Sequence, residues 1–166
     1  MDGKPVQASY SELSELALPN DANSLGTLLG GKIMHLVDVA GALAAVRHSR
    51  HFVVTASFDH MDFHEPVFIG ELIVLRAAVN RAFRTSMEVG VKVFAENLQS
   101  GDVRHVASAY LTFVAVNKER KPEQVPPALP ETADQKRRYE EAGERRAYRL
   151  AQLRRTRTEA GKQALG

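Results

Sequence analysis

Residues 30–47 read GGKIMHLVDVAGALAAVR. From Lys32 onward this segment is apolar nearly all the way round a period of 3.6 residues, the pattern of a helix buried on most of its faces. Such a helix has to be wrapped by something, and the wrapping follows directly downstream. Phe52–Phe63, Leu72–Arg81, Thr85–Glu96 and Val103–Val116 are β-rich runs, separated by turn signals at Glu65-Pro66 and Gly70, at Ala82-Phe83-Arg84, and at Gln99-Ser100-Gly101-Asp102. Within Ser86–Glu96 the apolar residues Met87, Val89, Val91, Val93 and Ala95 alternate with Glu88, Gly90, Lys92 and Glu96. This predicts an antiparallel sheet with one dry face, which clasps the helix, and one largely wet face. The fold class is therefore α+β, with one long central helix and four long strands.

Working outward, residues 1–25 carry Pro, Asn, Asp and Ser and read as an irregular lead-in, with one short packed segment marked by Leu13, Leu16 and Leu18. Beyond Val116, Asn117–Lys121 is a polar turn, and the four prolines of Pro122–Pro130 cannot continue a sheet. Residues 132–160 read as a solvated helix docked by a thin stripe of Tyr139, Gly143, Ala147, Leu150 and Leu153. The expected division is a lead-in over 1–18, a folded body over 19–121, a Pro-rich connector over 122–131 and a basic C-terminal helix and tail over 132–166. No internal repeat is present.

The chain has 166 residues, 44% apolar and 25% charged, with neither Cys nor Trp. Without cysteine there is no disulfide framework, no thiolate metal site and no cysteine nucleophile, and a reducing, cytoplasmic setting is the expectation. No apolar run reaches the roughly 18–20 residues of a membrane span, and the N-terminus lacks the basic-then-apolar order of a signal peptide. The net charge of +2 conceals an asymmetry, since residues 131–166 hold 10 Lys/Arg against 6 Asp/Glu while residues 1–130 hold 12 against 14. Basicity is thus a property of the tail, and the body is not expected to bind nucleic acid.

Asp38 is the most informative polar residue, because an ionised carboxylate among Leu36, Val37, Val39 and Ala40 is costly to bury without a partner. Two readings stay open on pattern alone: a carboxylate that faces a groove or subunit boundary and bonds nearby backbone, or one kept for chemistry. Asn23, Gly26 and the Gly30-Gly31 pair precede the helix. They either shape a turn and cap or let outward-pointing helical N–H groups approach an oxyanion. His35 lies one turn before Asp38 and reads as structural. His48/His51 fall at a helix end and His60/His64 near a strand end, so neither pair has the scaffold of a zinc motif and no metal is expected.

Asp21-Ala22-Asn23-Ser24-Leu25-Gly26 running through Gly30-Gly31 to Asp38 resembles the opening motif of the hotdog-fold acyl-CoA thioesterases, a group that includes tandem-domain cytosolic hydrolases. The likeness continues in order through Ala45-Val46-Arg47-His48, Val54-Thr55-Ala56, Asp62-Phe63 with Pro66-Val67 and Gly70, and Arg84-Thr85-Ser86-Met87-Glu88-Val89, covering roughly residues 19–116. The resemblance implies a hotdog fold in which two subunits join their sheets edge to edge and share two active sites, often as a trimer of dimers. It implies acyl-CoA thioester hydrolysis with no cofactor, Asp38 as catalytic carboxylate, Asn23 contributed across the subunit boundary, and backbone N–H groups near Gly30 and Gly31 as oxyanion donors. Leu29 and Thr55 are candidates for the acyl site. Arg81, Arg84, Thr85 and Ser86, grouped at one turn, are candidates for the phosphates of coenzyme A, whereas Arg137, Arg138, Arg145 and Arg146 are expected on a solvated face. The sequence departs from the family pattern at Leu29, where His or Phe is common, and at Phe83, where Gly is common. Two rivals accompany this reading: another hotdog enzyme of acyl thioesters, such as a dehydratase, whose His/Asp or His/Glu pattern has no counterpart in the sequence, and a non-catalytic acyl-CoA-binding or sensor protein.

Overall fold

Alternation along Ser86–Glu96 builds the layer on which the rest is laid: Met87, Val89, Val91, Val93 and Ala95 are all buried, together with Ile73, Leu75, Ala77 and Val79 of one neighbouring strand and Ala107, Ala109, Leu111 and Phe113 of the other. The computed structural model describes residues 1–163, with side chains through Arg157. In chain order the elements are β1 (Lys4–Pro5), β2 (Ser11–Leu16), α1 (Gly30–Ser49), β3 (Phe52–Phe63), β4 (Leu72–Ala82), β5 (Ser86–Glu96), β6 (Val103–Val116), β7 (Ala128–Leu129) and α2 (Ala133–Gln163). The main sheet is antiparallel in the order β2-β4-β5-β6-β3, so β2 and β3 are its edges.

The helix α1 lies on the dry face, burying Ile33, Leu36, Val37, Ala40, Ala44 and Ala45. Gly41 marks the closest approach, since a Cβ there would stand 2.9 Å from the ring of Phe113. Glycine is unfavourable in a helix interior, and here it lets the helix settle onto β6. The helix ends at Arg50, whose left-handed backbone (φ 60°) returns its N–H to the Val46 carbonyl. This is the hotdog arrangement, and β3 to β6 fall within one residue of the runs read from the sequence.

The structure differs from the sequence reading in four places. Residues 11–16, placed in the lead-in, form edge strand β2 along β4. SELSEL has no β-branched or aromatic residue, so local propensity hides a strand that forms because the edge of β4 offers it a ladder. The connector is also packed: Val125 and Ala128 are buried, β7 pairs with β1, and the Pro126 carbonyl accepts a 2.8 Å bond from Nε2 of the fully buried His48. The sheet face expected to be wet is covered in part by α2, which turns towards it Tyr139 and Gly143 of the apolar stripe together with Arg138, Ala142, Arg145, Arg146 and Arg149, leaving Ala147, Leu150 and Leu153 of that stripe exposed. Finally, α1 is covered on one side only. Met34, Val39, Leu43 and Val46 are exposed, and Phe52 and Val54 on the neighbouring edge strand β3 are exposed with them.

Candidate active site

Asp38 sits at the border between the buried and open sides of α1 and is half-buried within the chain rather than enclosed. The hydroxyl of Thr55 donates to Asp38 Oδ1 at 2.6 Å. Thr55 is exposed on the edge strand β3, immediately before a register shift relative to β6 between Thr55 and Ser57. Edge strands and bulges re-aim side chains, and this one presents a hydroxyl to a helix carboxylate. Thr55, a candidate for the acyl site from sequence, is therefore the hydrogen-bond partner of the candidate catalytic group. His35 makes no hydrogen bond or ion pair among the described residues and is exposed.

Asn23 organises the loop that feeds α1. Its Oδ1 accepts from the N–H groups of Leu25 (2.9 Å) and Thr27 (3.2 Å), its Nδ2 donates to Thr27 Oγ1 (2.9 Å), and Gly26 takes a positive φ of 78° to close the turn. The loop is tied to residues 67–71 by Leu28 N–H to the Val67 carbonyl (2.8 Å) and by a bridge between Thr27 and Phe68. That segment is pinned in turn by Glu71, which Arg104 grips with two bonds of 2.7 and 3.0 Å. These Arg104 bonds hold the Glu71 carboxyl below its ordinary range, with the Phe68 N–H adding to them against the opposing effect of burial. Lys32 on α1 meets Glu15 at 2.6 Å and Asp21 at 3.4 Å, joining the helix start to both β2 and the loop.

The helix begins without a side-chain cap, and Leu29, Gly30 and Gly31 are exposed there. A Cβ on Gly31 would meet nothing within 4 Å. The first N–H groups of a helix lack intrahelical acceptors and carry partial positive charge, so this opening suits an oxyanion. Within one chain no hydrogen bond among the described residues joins Asn23 to Asp38; Asn23 is bonded within its own loop and Asp38 to Thr55.

The four candidates at the β4–β5 turn divide. Arg84 is exposed and Thr85 half-buried, whereas Ser86 is buried beneath α2, its Oγ accepting from Arg146 Nη1 at 3.0 Å. Arg81 donates to the Tyr139 carbonyl at 3.3 Å and lies 4.2 Å over the Tyr139 ring. Arg81 and Ser86 thus point to the sheet face opposite α1. Of the four arginines expected in solvent, Arg145 and Arg146 are engaged there as well, whereas Arg137 is exposed and pairs with Asp134 and Glu141 on its own helix, and Arg138 pairs with Asp134. Arg145 grips buried Glu88 with bonds of 3.0 and 2.8 Å, while Asn80 donates to the same carboxylate. Arg149 binds Asp59 at 2.9 Å together with Ser57 and Thr112. Burial pushes the Asp59 carboxyl up, but hydrogen bonds from Ser57, Thr112 and Arg149 outweigh it and hold the group below its ordinary range. Ser57 and Asp59, two apart on one strand, are the sequence signal for this cluster; Asp59 falls at the register shift between Phe58 and His60, and its arginine lies 90 residues away.

Residues 25–101 match the thioesterase superfamily. An uncharacterized acyl-CoA thioester hydrolase of Bacillus subtilis is 40% identical over 117 residues, 70% of this chain and 68% of that one. The chain belongs to the thioesterase superfamily. Its fold superposes with a TM-score of 0.89 on a hexameric acyl-CoA thioesterase in its apo form, at 38% identity over 92% of this chain and 98% of that one. It also superposes, with a TM-score of 0.88, on an acyl-CoA hydrolase from Staphylococcus aureus bound to butyryl coenzyme A and coenzyme A, at 32% identity over 97% and 98% of the two chains. That S. aureus enzyme is known in addition as three single alanine variants, of an asparagine, an aspartate and a threonine separated by 15 and 17 residues. Against the mouse acyl-coenzyme A thioesterase 11, 36% identical over 147 residues, this thioesterase-superfamily chain spans 25% of the relative's length.

Proposed function

We propose that this chain hydrolyses acyl-CoA to a fatty acid and coenzyme A, at a site that a second copy of the chain completes. The observation that carries the proposal is the 2.6 Å hydrogen bond from Thr55 to Asp38, on the border of an open apolar helix face and a free sheet edge. One carboxylate oxygen is held by the threonine and the other is left for a water. Asp38 removes a proton from that water as the oxygen attacks the thioester carbonyl, and the negative charge passes to the carbonyl oxygen. Backbone N–H groups at Gly30 and Gly31 face that oxygen in the proposed pose. Collapse breaks the carbon–sulfur bond, and the thiolate of coenzyme A takes back the proton held by Asp38. Direct attack by Asp38 through an acyl anhydride gives the same products, and label on Asp38 after a single turnover in ¹⁸O-labelled water identifies that route, because water opening the anhydride at the aspartyl carbon leaves its oxygen on the enzyme.

Several features support a shared site. Asn23 does not reach Asp38 within its own chain, so Asn23 of the partner subunit is assigned to orient the water or the carbonyl. Val39, Leu43, Val46, Phe52 and Val54 are exposed side by side, a continuous apolar surface of the kind that marks an interface, and it would hold the acyl chain near Leu29. The separations of Asn23, Asp38 and Thr55 equal those of the three residues altered in the S. aureus hydrolase. The dimer is proposed to assemble further into a trimer of dimers, a reading supported by the neighbours described as hexameric. Arg84 and Thr85, with Arg81 and Ser86 behind them, are assigned to the coenzyme A phosphates, and no cofactor enters the reaction. No helix among the described residues is long and apolar enough to cross a membrane, and a cytoplasmic location is proposed, in keeping with the cytosolic acyl coenzyme A thioester hydrolase among the relatives. The test is an Asp38→Asn variant assayed across acyl-CoA chain lengths: turnover falls by roughly 10²-fold or more while substrate binding persists. Wild-type turnover in that variant removes Asp38 from the chemistry, and binding without turnover in the unaltered protein favours the sensor reading.

A further inference from the structure

The sheet face opposite α1 carries a cavity of about 280 Å³ beside the N-terminal turns of α2, room that about nine waters would fill. A coincidence of register opens it. Ala78 on β4 stands directly opposite Gly90 on β5, so two neighbouring strands carry almost no side chain at the same level, and both residues line the cavity. Glycine at 90 also makes room for Asn80. A Cβ there would stand 2.9 Å from the Asn80 amide nitrogen, which is held in place by donating to Glu88 at 3.0 Å. Tyr10, Phe94 and Tyr110 supply the walls.

The rim is cationic. Arg76 and Lys92 face each other across β4 and β5, and Arg138 of α2 joins them, whereas no acidic residue lines the cavity among the described residues. Like charges directly opposite on paired strands oppose the pairing. Two of the three cations are answered from outside the cavity, Arg76 by Glu12 at 3.0 Å and Arg138 by Asp134, which Arg137 shares. The Lys92 side chain forms no hydrogen bond or ion pair among the described residues and is exposed. A single positive charge is thus left unanswered at the rim. It matches a monoanion rather than a phosphate dianion, and the walls and the bare floor match an apolar body.

We propose that this cavity binds a small organic carboxylate, with the carboxylate at Lys92 and an apolar body of roughly ten heavy atoms lying over Ala78 and Gly90. The site is on the opposite face of the sheet from Asp38, and it does not depend on the acyl-CoA reading. Two sources share this chemistry: the fatty acid that thioester hydrolysis releases, or an organic acid unconnected with that reaction.

The test titrates the full chain by calorimetry, at fixed ionic strength and with no thioester present, with sodium octanoate and sodium benzoate, acids of similar size of which one is flexible and one flat. Lys92→Gln weakens binding of the preferred acid roughly tenfold, the effect of losing a charge-assisted bond, and Lys92→Arg recovers most of it. Because Lys92 is exposed, the unfolding temperature of Lys92→Gln stays with the wild type. Ala78→Leu, which fills the floor from a half-buried position, abolishes binding. An acid that occupies the apolar surface beside Asp38 instead binds all of these variants as it binds the wild type. Equal affinity across wild type and variants therefore overturns the site, as does the lack of saturable binding of either acid by the wild type. A kinetic arm identifies the source. Preference for octanoate, with inhibition of octanoyl-CoA hydrolysis that Lys92→Gln relieves, supports the site as one for the reaction's own product. Preference for benzoate, or octanoate binding that leaves turnover unmoved, supports it as a site for another acid. Binding is read without turnover, so a chain that binds either acid here but hydrolyses no acyl-CoA overturns the thioesterase reading and keeps this one.

Discussion

Asp38 and Thr55 are separated by the turn from α1 into β3, and their 2.6 Å bond places a hydroxyl donor on a carboxylate that the sequence surrounds with aliphatic residues. Because Thr55 acts through Asp38, removing its donor disorders the carboxylate without deleting it. Thr55→Val, nearly isosteric, should lower kcat about tenfold with a small change in KM, as loss of one orienting hydrogen bond of about 1–1.5 kcal/mol does, and Thr55→Ser should restore most of the rate. A Thr55→Val enzyme with wild-type kcat would separate the bond from catalysis. A second residue sets a pH limit on the fold. His48 is fully buried, and burial pushes its imidazole below the ordinary value of 6.5, against the pull of its bond to the Pro126 carbonyl. Below about pH 6.5 the unfolded chain binds a proton that the folded chain refuses, so this part of the stability is complete above that pH and is lost as pH falls. Denaturant midpoints measured from pH 8 to pH 5.5 should therefore decline more steeply in the wild type than in His48→Gln, and parallel profiles would show that His48 does not carry the dependence.

Among the elements, α2 behaves differently from an appended basic tail. Its arginines cross to the outer sheet face at three successive levels: Arg145 to Glu88 on β5, Arg146 to Ser86 at the hairpin, and Arg149 to Asp59 on β3. The last of these grips the bulged strand that carries Thr55, from the side opposite α1. Both partners are largely buried, with side-chain exposures of 23% for Arg149 and 10% for Asp59, so leaving either one unpaired is costly. Arg149→Ala and Asp59→Ala should each destabilise the protein by about 1–3 kcal/mol, while the double variant loses less than the sum. A coupling of roughly 1 kcal/mol or more in the double-mutant cycle is expected; strict additivity would mean that the pair does not act together.

For the whole molecule, the single chain is incomplete in two respects. It leaves an apolar helix face and a free strand edge uncovered, and no hydrogen bond among its described residues joins Asn23 to Asp38. Pairing with a second copy is proposed to resolve both. Asn23→Ala and Asp38→Ala homodimers should each be nearly inactive. A mixed dimer, however, gathers both lesions into one site and leaves the other site whole. Random re-pairing makes about half of the dimers mixed, so the co-refolded mixture should regain about a quarter of wild-type activity. If mass measurement confirms exchange and no activity returns, the two residues serve the same chain's site, because every site in the mixture then carries one lesion.

The all-round apolar helix of 30–47 and the period-2 runs after it were enough, by themselves, to determine the layered α+β fold and the four strands β3 to β6, because both periodicities report directly which side chains must leave water. They also singled out Asp38 as a charge out of place, and the resemblance carried by the loop from Asn23 to Gly31 marked the region of the candidate site. Strand β2 was not legible, since SELSEL has no strand propensity and is held by the ladder that β4 offers. Nor was the role of α2: an arginine-rich helix reads as solvated until the sheet places Glu88 and Asp59 beneath it. The hydroxyl that meets Asp38, and the face of α1 that the chain's own sheet leaves open, depended on how far one sheet reaches around one helix. Local pattern records which residues avoid water, whereas long-range geometry selects which neighbour replaces it.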